Sequence, residues 1–235
     1  MKWFVLTFIS LWLFSCNSKP DLFDLVVLAD RSDPNRIAAP TLDQIRSVLP
    51  ETINKQTGIH FRLRNIGENE FLPAYSLSLK PTSTFENTIR RKVAVDHFLT
   101  KIDSLIQWEN NKMFSQEGSS ILTVLTEALE VLSKSSAQVK TALLYSDGYE
   151  FSHLLNTYDP KTASKLLSNP EEVAQEFLPI TSELSLQGVD LYIIYYPHDK
   201  TDALRFRAIV TFYKRLFEGA GLAIHVGLPN ATTPL

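Results

Sequence analysis

Three stretches of this chain are apolar almost without interruption, and each stops at a polar cluster. Leu22–Ala29 runs into Asp30, Val139–Tyr145 into Ser146-Asp147-Gly148, and Val189–Tyr196 into a loop holding His198 and Asp199. A strand with no polar face has to be covered on both sides. That is the pattern of a central parallel strand between layers of helices.

The intervening segments supply those layers. Thr41 can cap an amphipathic helix through Leu49, with Leu42, Ile45 and Val48 on one face. Helical spacing recurs over Phe85–Trp108, through Ile89, Val93, Phe98, Ile102 and Leu105, and again over Ile121–Leu132, Glu171–Leu186 and Ala203–Phe217. Ile59–Ile66 and Tyr75–Leu79 instead alternate apolar and polar residues. Their link is too short for a helical crossover, so they should pair as an antiparallel hairpin. Leu222–Val226 is the last strand, and Tyr149–Pro170 reads as an inserted loop with one short helix. The order predicts a three-layer, doubly wound α/β domain with a mostly parallel six-stranded sheet and one antiparallel edge strand.

The N-terminus precedes this domain. Lys2 is followed by a mostly apolar run, Trp3–Phe14, about half the length needed to span a bilayer. It reads as a signal-peptide core rather than a membrane helix. Leu13-Phe14-Ser15-Cys16 resembles a bacterial lipobox, in which the cysteine is lipidated and becomes the first mature residue, although Phe14 is bulkier than usual at its place. An ordinary secretory signal with a chance cysteine is the alternative; either sends the chain out of the cytoplasm. The expected division is a signal peptide over 1–15, a short lipidated tether over 16–21 and one domain over 22–235. Asn17, in place of an aspartate after the cysteine, favours the outer membrane over the inner. With no cysteine beyond Cys16, the mature domain can hold neither disulfides nor thiolate metal sites. A formal net charge of −3 with interspersed signs gives no nucleic-acid footprint.

Chemistry should gather where open α/β sheets place their ligands, beyond the carboxyl ends of the strands. Asp30-Arg31-Ser32-Asp33-Pro34, Gly118-Ser119-Ser120 and Ser146-Asp147-Gly148 all fall there. In these clusters and in its element order the chain resembles a von Willebrand factor A (vWA) domain, over about Leu22 to Val226. The resemblance implies a vWA/Rossmann-like fold and a metal-ion-dependent adhesion site. That family's motif is Asp-x-Ser-x-Ser after the first strand, a threonine before a central helix and an aspartate after the fourth strand. Asp30 and Ser32 match the first two positions, Pro34 stands where the second serine belongs, Ser119 or Ser120 replaces the threonine, and Asp147 matches the last. The implied metal ligands are Asp30, Ser32, Ser119, Ser120 and Asp147, holding Mg²⁺ or Mn²⁺, with Asp33 as a substitute ligand. Such an ion wants oxygen ligands, and hydroxyls with few carboxylates leave it positive enough to take an acidic side chain from a partner.

Each cluster also has a plainer reading. Asp30 suits a turn or a helix cap, and Ser146-Asp147-Gly148 an ordinary tight turn. Enzyme motifs are missing: there is no phosphate loop and no Gly-x-Ser-x-Gly elbow. Gly219-Ala220-Gly221 lies after a helix and before a strand, so it reads as a helix end rather than a dinucleotide fingerprint. The expected function is a lipid-anchored binding module of the bacterial envelope, held to the membrane by its lipid alone. It would recognise a protein partner through this rim, to which the aromatic segment after Asp147 would add contact surface. The alternatives are a metal-assisted hydrolase, with Asp30, Asp33 and Asp147 around one Mg²⁺ and His153 or His198 as base, and a metal-free scaffold.

Overall fold

The computed structural model describes residues 20–32, 39–67, 72–83, 85–112 and 118–229. Among these residues a single sheet runs through six strands: β1 (Leu22–Asp30), β2 (Gly58–Ile66), β3 (Ala74–Leu79), β4 (Val139–Tyr145), β5 (Val189–Ile194) and β6 (Ala223–Val226). Their order is β3-β2-β1-β4-β5-β6, parallel except for β3 against β2. The helices are α1 (Leu42–Arg46), α2 (Thr88–Asn110), α3 (Ile121–Ser133), α4 (Pro160–Ser168), α5 (Pro170–Thr181) and α6 (Lys200–Phe217). The expected α/β class, the sheet and its antiparallel edge strand are all present.

Alternation within β1 divides the interior in two. Leu25 and Val27 join Ile45 of α1 and Phe98, Leu99, Ile102 and Ile106 of α2 on one side of the sheet. Val26 and Leu28 join α3 and α6 on the other, where Leu125, Leu129, Ile209 and Phe212 are buried. From Leu25 to Ala29 β1 is apolar because both faces are core. Burying each such Leu, Ile or Phe contributes roughly 1.5–3 kcal/mol.

Element edges differ from expectation where local signals compete. The first helix stops at Arg46 rather than Leu49, although Thr41 and Gln44 close a full capping box at its start. α5 ends at Thr181, two residues past the internal Pro179, not at Leu186. In α2 the expected stripe joins two faces. Ile102 is fully buried, while Val93, about two and a half turns earlier, is 62 % exposed and Ile89 is 72 % exposed. The five-residue step from Val93 to Phe98 breaks the helical phase, and only the later half of the stripe packs on the sheet.

β1 lies between β2 and β4, and the chain winds from it in opposite directions. The crevice beyond the carboxyl ends of β1 and β4 is therefore the topological switch point, the place where such sheets bind ligands. Asp30 closes β1 at this point, and Ser146-Asp147 follows β4.

Candidate functional site

Asp30 is the hub of the switch-point crevice. Its Oδ1 accepts hydrogen bonds from Ser32 N (3.0 Å) and Ser32 Oγ (2.7 Å). Its Oδ2 accepts from Ser119 Oγ (3.0 Å) and Ser146 Oγ (2.8 Å). A carboxylate has about four lone-pair sites, so these donors fill it. Burial raises the Asp30 carboxyl above its ordinary range, and the bonds from Ser32, Ser146 and Ser119 offset part of that rise. Each serine that gives its proton to Asp30 keeps oxygen lone pairs for another partner. The result is a cluster of polarised hydroxyl oxygens around one half-buried carboxylate.

The loops that carry these serines are held in place by their own backbones. Ser119 and Phe151 exchange two backbone hydrogen bonds, of 3.1 and 3.0 Å, which pin the loop before α3 to the segment after β4. Ser146 Oγ accepts from Gly148 N at 2.9 Å, and Asp147 Oδ1 from Tyr149 N at 2.9 Å. Gly148 takes φ +80°, and a Cβ there would stand 2.4 Å from Ile209 Cγ2, so this turn needs glycine. On the other flank Arg31 is buried and reaches Glu109 of α2 at 3.8 Å, while Glu109 accepts from Asn65 Nδ2 (2.6 Å) and Lys112 Nζ (2.5 Å).

Of the expected site residues, Asp30, Ser32 and Ser119 come together directly. Asp147 joins at one remove, its Oδ1 lying 3.5 Å from the Ser146 hydroxyl that bonds Asp30. Ser120 stands just before α3 and its backbone N donates to Gly67 O at 3.1 Å. Of the two serines offered for the threonine position, Ser119 is therefore the one bonded to Asp30. Cys16, Asp33 and Pro34 lie outside the described residues.

Two members of the site lie outside the expected ligand set. Ser146 looked like part of a turn, yet it links the two aspartate loops. Glu150 is 1 % exposed; its Oε2 accepts from Leu122 N at 2.8 Å in the first turn of α3, and its Oε1 has no hydrogen-bond partner. Burial pushes its carboxyl up to about 7, with the charge of Asp30 adding to the rise and the nearby Ser152, Leu122 and Ile121 donors opposing it. The inserted segment folds back on this site. Tyr149 and Phe151 each meet Tyr158 edge to face at 5.9 and 6.0 Å, and Phe151 and Tyr158 remain exposed along the rim.

The residues offered for hydrolysis are placed differently. His198 donates its backbone N to Asp202 Oδ2 (2.8 Å), Asp199 caps α6, and His153 is exposed in the inserted segment. A second polar alignment lies on the sheet, where His60 Nε2 is 2.8 Å from Ser76 Oγ and His60 Nδ1 3.3 Å from Asp24 Oδ1. Backbone N–H groups lie in the plane of a sheet while its side chains stand above it. The strands that carry this trio therefore aim no pair of N–H donors at the serine, as acyl transfer requires, and it reads as cross-strand pairing. Among the described residues no three His, Cys, Asp or Glu side chains gather into a metal-holding group. The oxygen set that the fold assembles is two carboxylates with serine hydroxyls.

The described residues form an open α/β domain with a polar serine–aspartate cluster at its switch point. No protein-family model and no curated protein matches the chain.

Proposed function

We propose that this chain is a lipid-anchored, vWA-like binding module of the bacterial cell envelope, which recognises a protein partner through the rim around Asp30, Ser32, Ser119 and Asp147. The observation that carries the reading is the convergence of three serine hydroxyls on one half-buried aspartate at the switch point. The donor set suits a hard divalent cation such as Mg²⁺ or Mn²⁺, which takes oxygen ligands and keeps some waters. Ser32 Oγ, Ser119 Oγ and Asp147 would hold it. Asp30, with its acceptor sites filled, would orient the hydroxyls and balance the charge. A cation bound there would supply a positive centre for an acidic side chain of the partner. The aromatic rim of Phe151 and Tyr158 adds apolar contact beside it, as protein interfaces commonly do.

A specific observation favours a second reading. The bonds that fill Asp30 come from three loops and tie those loops together, as a scaffold would need. Calorimetric titration of the full chain with Mg²⁺ and with Mn²⁺, beside Asp30→Ala, separates the two. Saturable binding that the substitution abolishes supports the adhesion-type site. A folded protein indifferent to both ions assigns the serine–aspartate cluster to the scaffold.

A further inference from the structure

The end of the domain opposite the crevice carries an apolar stripe that the core does not use. Ile89 and Val93, four residues apart, share one face of the first turns of α2 and are 72 and 62 % exposed, and Phe85, in the turn that leads into the helix, is 96 % exposed. Isolated surface hydrophobes are ordinary, whereas three gathered at one helix start form a patch that calls for a partner. Lys80, Arg90 and Lys92 are exposed around the stripe, and Glu86 and Asp96 are the acids on the same stretch. The patch is held rigidly. Arg91 is buried and donates to Asn54 O (2.9 Å), Lys80 O (2.8 Å) and Thr57 O (2.6 Å), tying the first turns of α2 to the ends of β2 and β3.

The chain emerges from the domain at this same end. Gly58 N donates to Asp21 O at 2.8 Å and Gln138 Nε2 to Pro20 O at 3.1 Å, so Pro20 and Asp21 sit at the starts of β2 and β4. A Cβ on Gly58 would meet both Leu22 Cδ2 (2.6 Å) and Pro81 Cδ (3.0 Å), which places the loop leading to Phe85 beside the first residue of β1. Only Asn17, Ser18 and Lys19 separate Cys16 from Pro20. At about 3.5 Å per residue that segment spans no more than about 14 Å. Asp30 lies at the far end of β1, roughly 30 Å away at strand rise.

We infer that the turn before α2 and the first turns of the helix, through Phe85, Ile89 and Val93 with Lys80, Arg90 and Lys92 around them, lie against the lipid surface that holds the anchor. This rests on the lipidation of Cys16 proposed above. Apolar side chains enter the interface while cations meet anionic headgroups, the combination by which surface helices bind membranes. One acyl-bearing residue gives firm attachment more readily when a second contact accompanies it. The domain would then stand with its switch-point crevice pointing away from the membrane, open to a partner.

Cys16 is the only cysteine, so a thiol introduced elsewhere is the sole free one once Cys16 carries lipid. The full chain is made in a bacterial host as Phe85→Cys and as Leu204→Cys, which lies at the opposite end and is also exposed. Both are extracted, nitroxide-labelled and reconstituted into vesicles of phosphatidylethanolamine and phosphatidylglycerol. Accessibility to oxygen and to a water-soluble nickel complex is then read by electron paramagnetic resonance. The expected result is loss of nickel access and gain of oxygen access at position 85 but not at 204. Equal nickel access at both positions overturns the docked face. If position 85 is water-accessible on vesicles and becomes protected only when envelope protein is added, the stripe belongs to a protein partner and the inference again fails. Label taken up by the unsubstituted chain shows that Cys16 is free, which overturns the anchor itself and the docked face with it.

Discussion

Glu150→Gln tests the electrostatics of the crevice in a form that can be measured without knowing its ligand. Glu150 is almost fully buried; one carboxylate oxygen accepts from Leu122 N and the other has no hydrogen-bond partner. Its carboxyl titrates from an ordinary 4.5 in the unfolded chain to about 7 in the folded one. Between those values the native state holds a proton that the unfolded state has released. Stability therefore falls as pH rises through this window, and the contribution present below 4.5 is lost above about 7. At about 1.4 kcal/mol per pH unit the loss is of order 3 kcal/mol. Glutamine keeps an oxygen for Leu122 N and removes the charge, but it places an amide nitrogen where Oε1 has no partner, a penalty of about 1 kcal/mol. The variant should be less stable than wild type by about 1 kcal/mol near pH 4 and more stable by about 2 kcal/mol near pH 8. Urea unfolding at a series of pH values reads this crossing directly. Stability curves that run parallel across the window would refute the reasoning, because they would mean that Glu150 ionises as readily folded as unfolded.

Other substitutions separate neighbouring residues. Ser119→Ala should destabilise the fold by about 1 kcal/mol, through the lost bond to Asp30, and weaken Mg²⁺ or Mn²⁺ binding in the titration. Ser120→Ala should leave the ion binding as it is in the same calorimetric comparison. Gly148→Ala forces a side chain into positive φ and against Ile209 Cγ2, and should lower stability by about 3 kcal/mol in thermal unfolding. The phase of α2 is checked by a pair: Ile102→Ala, in the core, should cost about 2–5 kcal/mol. Val93→Ser, on the exposed face, should stay within about 0.5 kcal/mol in the same denaturant assay of detergent-solubilised protein.

Much of the sheet was legible along the chain because its signals are local. A run such as Leu25-Val26-Val27-Leu28 has no polar face, and a strand buried on both sides needs none. The shortness of the β2–β3 link forces an antiparallel pair whatever surrounds it. Asp30, Ser32 and Asp147 stood out because strand ends at a switch point are where polar residues gather. The tertiary structure decided what depends on contacts between distant segments. Ser119 and Ser146 reach Asp30 across 89 and 116 residues, and nothing in their neighbours' identities distinguishes Ser119 from Ser120. Glu150 gave no signal, since a glutamate in a polar loop reads as solvated until the loop folds over α3 and removes its water. In α2 the sequence offers two apolar stripes half a turn apart. Only the position of the sheet chooses Phe98, Ile102 and Ile106 for the core and leaves Ile89 and Val93 on the surface. Periodicity fixes which residues share a face of a helix; which face is buried is set by the partner that packs against it.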